Sequence, residues 1–366
     1  MKVLYIGYYK EHSDWGRTAR NNILALDSAG VDVACRSVVF GVDHTPEEMR
    51  RFEEKDIEDC DVCIQHVFPD HMLPSSKFKK NIAILANEFV EAKHSTIIEK
   101  LDRFDQVWVP SSWAEIAFKN TPIEDKIKRV PYAFNKDNYK ATTSPVNGGI
   151  ETRDKFKFYT IINNEGDGVE RVLRCFHSEF DDTDNVVLLF GVDESCNKKL
   201  IDQKIEKVKT DLGLKPQASD YRKDVFVPRL SGSHEPLHVF ADCYISCGTQ
   251  RTLNLEEFDA FAFGNTPIIP NATDAEAYFD NHECVVSSIY QTNTNHSKMW
   301  PDLNNGKDYI IIPCEKEMKE TMRKLYSTWS ENPVIYSVNR KREAFERLEV
   351  MSLESVGNYM KENLNA

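Results

Sequence analysis

No run of this 366-residue chain is long and apolar enough to span a bilayer as a helix, so no transmembrane segment is expected. Met1 to Ile6 make a short apolar strand that Gly7 ends, without the longer apolar core of a secretory leader, and the cytoplasm is the expected location. Dense cysteine is missing too: the nine cysteines are odd in number and scattered, which suits a reducing compartment and argues against a disulfide framework. Cys60-Asp61-Val62-Cys63 has two-residue spacing, but positions three apart on a strand face opposite sides and no second pair stands at metal-ligand spacing. Both are read as core, while Cys243 and Cys247 would lie about 13 Å apart if extended, too far to bridge. Basic excess is absent: 46 Lys and Arg against 59 Asp and Glu give a net charge of −13, a surface that repels phosphate backbones. Nonspecific nucleic-acid binding is therefore not expected, although an enzyme modifying a base stays open. No short-period repeat and no low-complexity segment occurs.

What is present is a regular alternation. Hydrophobic residues make up 41% and aromatics 11%, enough for two ordinary cores, and the length exceeds what one core usually reaches. Val3-Leu4-Tyr5-Ile6, Val31 to Ala34, Asp61 to Ile64, Ile82 to Leu85 and Gln106 to Val109 read as short strands separated by helical patterns such as Arg17 to Ala29. That order implies a mostly parallel sheet with crossover helices. Phe134 to Asp154 then loses all apolar period, and the alternation restarts at Phe156 to Ile161. The expected organisation is an α/β chain of two Rossmann-like domains facing a cleft. The first spans 1–135, a linker 136–154, the second 155–330, and helices in 331–366 pack back across the domains. Asp181-Asp182-Thr183-Asp184 has the acidic spacing of a metal-bound diphosphate site, but it lies between a helix and a strand and reads as a solvated turn.

Asn254-Leu255-Glu256-Glu257-Phe258-Asp259-Ala260-Phe261-Ala262-Phe263-Gly264-Asn265-Thr266-Pro267-Ile268-Ile269 resembles the donor-site helix and following strand of the retaining glycosyltransferase family four, whose fold is GT-B. Phe240 to Ser246 is similar to the strand that leads into that site. The resemblance implies a transferase that takes a sugar from a nucleotide donor such as a UDP- or GDP-sugar, with retention, with no cofactor and with no metal. The start of the helix near Asn254 and Leu255 would face the donor diphosphate, where a helix's positive end favours negative charge. Asp259 stands where the family has a ribose-binding glutamate. Arg251 replaces the other glutamate eight positions earlier, leaving Glu256 or Glu257 to supply a carboxylate, or Arg251 to clasp a phosphate. Asn163 to Arg171 resembles the loop where the family carries a basic pair. Asn163 or Asn164 and Asp167 stand there instead, and Arg171 or Arg251 is left to compensate.

Tyr8 to Gly16 with its following helix is similar to the family's glycine-containing loop, with Gly16 permitting close backbone approach and Trp15 placed either to stack on a sugar or to pack against the loop. Glu88 and His66 both follow apolar strands, at the edge where open α/β sheets bind ligands. Glu88 is read as orienting an acceptor, and His66 either as catalytic or as a satisfied structural histidine. The acceptor is unspecified: a lipid, glycan, protein or modified nucleobase. A GT-B-shaped binding protein without catalysis is the alternative, prompted by the missing basic pair. A nucleotide-sugar epimerase or hydrolase ranks last.

Overall fold

The computed structural model describes residues 1–38, 44–86, 91–92, 95–139, 154–162, 168–192, 196–215, 224–226, 234–246, 254–271, 273–279, 284–292 and 309–366. Six strands, β1 (Lys2–Gly7), β2 (Asp32–Ser37), β3 (Val62–His66), β4 (Lys80–Ile84), β5 (Gln106–Val109) and β6 (Ile127–Arg129), form a parallel sheet in the order β2-β1-β3-β4-β5-β6. A second parallel sheet has the order β12-β11-β10-β7-β8-β9, from β7 (Phe156–Ile162), β8 (Val186–Val192), β9 (Asp224–Phe226), β10 (Cys243–Ile245), β11 (Thr266–Pro270) and β12 (Val285–Val286). β3 and β7 are buried at every position, as strands covered on both faces are, and this is why apolar residues dominate them. An antiparallel pair, β13 (Ser288–Thr292) and β14 (Tyr309–Pro313), was not foreseen from sequence.

The first sheet carries α1 (Asp14–Ser28), α2 (Glu47–Glu53), α3 (Ile97–Leu101) and α4 (Ser112–Ile116). The second carries α5 (Val169–Glu179), α6 (Lys198–Asp211), α7 (Glu235–Phe240) and α8 (Leu255–Ala262), followed by α9 (Glu315–Glu331), α10 (Pro333–Glu349) and α11 (Leu353–Asn365). These are two Rossmann-like units facing a cleft. Strand order reverses between β1 and β3 and between β10 and β7, the points where such sheets open a ligand crevice at their carboxyl edges.

The chain's last helices pack back as expected. α10 lies on the second unit, where Tyr336 shares a 2.9 Å hydrogen bond with Thr266 and Ala344 and Leu348 are buried. α11 belongs to the first unit. Its Val356, Met360 and Leu364 join the core of β1, and Gly357 crosses α1 so closely that a Cβ would sit 1.9 Å from the Ala25 carbonyl oxygen. Lys361 caps the end of α1 by donating to the Ala29 carbonyl at 2.7 Å.

Three local expectations shift. Ser13 caps α1, accepting from the Gly16 N–H, so the helix begins at Asp14 and takes Trp15 and Gly16 into its first turn. Gly16 is needed for a contact within the chain: a Cβ there would fall 2.0 Å from the Glu11 carbonyl oxygen. In the expected linker, Lys136–Tyr139 form a short 3-10 turn, while 140–153 lie outside the described residues. Asp181 to Asp184 does make a turn, but Asp184 is mostly buried against Arg323 at 2.6 Å.

Candidate functional site

The amino ends of α1 and α8 meet across the cleft. α8 starts there because Asn254 adopts extended backbone and its side chain accepts from the Glu256 N–H at 3.2 Å. The next exposed donor, the Leu255 N–H, reaches across to the Asp14 carboxylate of α1 at 3.4 Å. The α8 end thus offers its positive pole to an acid of α1.

One turn further into α8, Asp259 is buried between two partners from outside its own helix. Arg17 of α1 donates to one oxygen at 2.6 Å, and the Tyr139 hydroxyl donates to the other. Burial opposes the charge on Arg17, but Asp259, Tyr139 and Asp14 outweigh it and hold the guanidinium more firmly protonated. Burial and the Asp259 charge push the Tyr139 phenol well above its ordinary range.

Glu256 is gripped from α7. His234 Nδ1 lies 2.7 Å from one oxygen and His238 Nε2 2.9 Å from the other. His238 Nδ1 faces the Tyr159 hydroxyl at 2.6 Å, and that hydroxyl accepts from the Asn265 amide at 2.9 Å. Because Asn265 uses the hydroxyl's acceptor side, the Tyr159 proton goes to Nδ1 and the His238 Nε2–H donates to Glu256. Burial raises Glu256, but the two histidines more than offset it and hold the carboxyl well below the usual range. Asp14, desolvated in the cleft and facing Glu256 and Asp259, is pushed up to about 6 against the pull of Arg17. Glu257 points away from this cluster toward Ser246, which donates to it; burial, with Asp274 nearby, lifts its carboxyl to about 7.

His238, Glu256 and Asp259 place ligand atoms within 4.8 Å of one another, a donor set that suits a divalent ion. Their facing atoms are already committed to His–Glu and Arg–Asp pairs, and the Arg17 guanidinium puts a positive charge beside Asp259. A second group of contacts crosses the cleft beside β5: Ser111 donates to Asp274, Trp113 Nε1 to Glu276 at 2.7 Å, and the Tyr278 hydroxyl to the Pro110 carbonyl.

Of the residues singled out from sequence, Asn254, Leu255, Glu256 and Asp259 gather at the start of α8. Trp15 and Gly16 stand in the α1 turn that supplies Asp14 and Arg17. His66 ends β3 and is 2% exposed, its Nδ1 2.8 Å from the Tyr5 hydroxyl and its ring 5.1 Å from that of Trp15. Burial alone pushes its imidazole down to about 3, so it is neutral. His66 thus stands behind Trp15 with its Nδ1 turned to Tyr5. Arg171 lies in the first turn of α5, just beyond β7. Glu88, Asn164 and Arg251 lie outside the described residues.

Asp14, Arg17, Tyr139, His234 and His238 of this cluster went unread in the sequence. His234 and His238 had a signal, since a spacing of four puts two side chains on one face at a helix start. Arg17 and Tyr139 had none: Arg17 meets Asp259 242 positions away, a contact only the docking of two domains creates.

No protein-family model matches the chain, and no curated protein matches it in sequence. Solved structures do match in shape. Anabaena HepE, in complex with UDP-glucose, aligns with TM-score 0.60 at 11% identity, covering 100% of this chain and 99% of HepE. Sucrose-phosphate synthase of Thermosynechococcus elongatus aligns with TM-score 0.62 at 10% identity over 100% and 98% of the two chains. The trehalose-6-phosphate synthase OtsA gives 0.63 at 9% identity over 100% and 98%. At such identities the shared property is the fold, the two-domain GT-B architecture.

Proposed function

We propose that this chain is a glycosyltransferase that moves a sugar from a nucleotide-sugar donor, UDP- or GDP-linked, to an acceptor. The observation that carries the reading is the meeting of the α8 and α1 amino ends across a cleft between two Rossmann-like units, in a fold shared with proteins solved with UDP or UDP-glucose. In this reading 155–330 holds the donor near Asn254, Leu255, Glu256 and Asp259, with Arg171, Asn164 and Arg251 on the phosphate side. The acceptor sits against 1–135, near Trp15, Gly16 and Glu88, with His66 backing Trp15. Arg17 takes the part of the missing basic pair: on donor binding it leaves Asp259 to a ribose hydroxyl and turns to the diphosphate. The bond from the anomeric carbon to phosphate oxygen breaks, the acceptor oxygen bonds to that carbon on the same face, and its proton passes to the departing phosphate. No metal is required when Arg17 and a helix end share that charge. The residues read from the chain fit a cytoplasmic enzyme.

A second reading, a nucleotide or glycan binder without turnover, is favoured by one observation. Asp14, Glu256 and Asp259 crowd the place where a diphosphate would lie, and like charges oppose it. A panel of nucleoside diphosphates and nucleotide sugars, read by thermal stabilisation of the purified protein, tests both. A selective rise in Tm that Asp259→Ala diminishes supports the donor site, and release of nucleotide with an acceptor distinguishes transfer from binding. A flat panel at millimolar concentration would overturn the donor assignment.

A further inference from the structure

Behind the cluster just described, at the opposite end of α8, lies a cavity of about 640 Å³, the size of a small-molecule site. It sits at the amino edge of the second sheet, away from the cleft, where the 3-10 turn at Lys136–Tyr139 meets α10. Its walls are aromatic: Phe134, Tyr139, Phe240, Phe263 and Tyr336. Phe134 and Tyr139 stack at 4.5 Å, and Tyr139 meets Phe263 at 5.3 Å.

The field inside favours positive charge. α7, α8 and α10 all end here, at Phe240, Ala262 and Glu349, so three helix carboxyl ends present their negative poles to one space. Asp242 adds a carboxylate that Lys157 pairs at 3.3 Å, and Asp137 and Glu349 add two more at the rim beside Lys136 and Lys341. Two of the five rings already hold cations of the chain itself, Lys157 5.5 Å from the Phe240 centroid and Arg340 5.4 Å from that of Tyr336.

We infer that this cavity is a binding site for a small organic amine, an ammonium head on an apolar or ring-shaped body, separate from the donor site and independent of the transferase reading. The occupant would touch both supports of the α8 cluster. Tyr139 lines the cavity with its ring while its hydroxyl holds Asp259. Phe263 lines it while stacking on His238, the partner of Glu256, at 5.9 Å.

The test uses the whole chain and three probes of one shape: phenethylamine, the neutral 2-phenylethanol and the anionic 3-phenylpropionate. Melting temperature and titration calorimetry are read for each. Phenethylamine should raise Tm saturably, with the alcohol and the acid at least about tenfold weaker, as expected when charge supplies about 1.4 kcal/mol of the binding. Ser337→Trp fills the cavity from its exposed rim without touching the core and should abolish the amine response while circular dichroism stays unchanged. Phe263→Leu, which keeps the wall apolar and removes the ring face, should weaken it severalfold. Equal binding of the alcohol, an amine response that survives Ser337→Trp, or no response to the amine would each overturn the inference.

Discussion

Two histidines, one in each domain, are alike in almost everything a sequence or an accessibility value reports. His66 ends β3 and is 2% exposed; His238 lies in α7 and is 1% exposed. Each has its Nδ1 against a buried tyrosine hydroxyl, Tyr5 at 2.8 Å and Tyr159 at 2.6 Å. The second nitrogen separates them. That of His238 faces the Glu256 carboxylate, at an edge of the cleft where Arg17, Asp14 and Asp259 also converge, whereas His66 is surrounded by Tyr5 and Trp15 and burial keeps it neutral. Burial of a titratable group therefore locates nothing by itself; a charge partner beside it does.

The largest effect should come from removing the histidine that donates to Glu256. His238→Ala leaves Glu256 buried with one of its two donors gone and should cost about 3 kcal/mol of stability, measured by denaturant unfolding. Arg17→Ala comes next, at about 2 kcal/mol, because Asp259 keeps only Tyr139. The same variant sharpens the comparison, for on the proposed function it should also weaken nucleotide-sugar binding, which a purely structural pair would leave alone.

His66 makes the opposite prediction in pH. Its folded pKa, about 3, is below the unfolded value near 6.5, so between these limits the unfolded chain binds a proton that the native chain refuses. This contribution lowers stability as pH falls from about 6.5 toward 3. His66→Asn, which keeps a polar group toward Tyr5, should flatten that part of the profile at a cost of about 1 to 2 kcal/mol at pH 8. A profile unchanged by the substitution would show that His66 does not stay neutral. The smallest change is a gain. Glu257 titrates at about 7 when folded, above its ordinary value of 4.5, so the native state holds an extra proton in that window and loses stability as pH rises through it. Glu257→Gln removes this penalty and should stabilise the protein by about 1 kcal/mol at pH 8, with little change at pH 4.

Much of the architecture was legible because parallel strands covered on both faces leave apolar runs, and because Gly30 and Gly264, both at positive φ, close α1 and α8 as glycine commonly closes a helix. The β13–β14 pair was not: its exposed Ile289 interrupts any inward pattern. At the candidate site, the start of α8 was readable from its own capping residue, Asn254. What surrounds it was not, since Asp14, Arg17 and Tyr139 come from distant parts of the chain and carry no local mark of where they dock. The cap on α1 shows the same limit on a smaller scale. Three residues separate the expected start from the real one, and those three turn Trp15 and Gly16 from loop residues into helix residues.

α11 has a consequence for how the protein is made. The first sheet is complete in sequence by Arg129, yet Val356, Met360 and Leu364 fill its core, and Lys80 and Gln106 reach the carbonyls of Leu364 and Asn363 at 3.0 and 3.1 Å. On the ribosome, the amino-terminal unit must wait with an open groove along α1 until the whole second unit has emerged. The helix that closes the first unit is made only after the second.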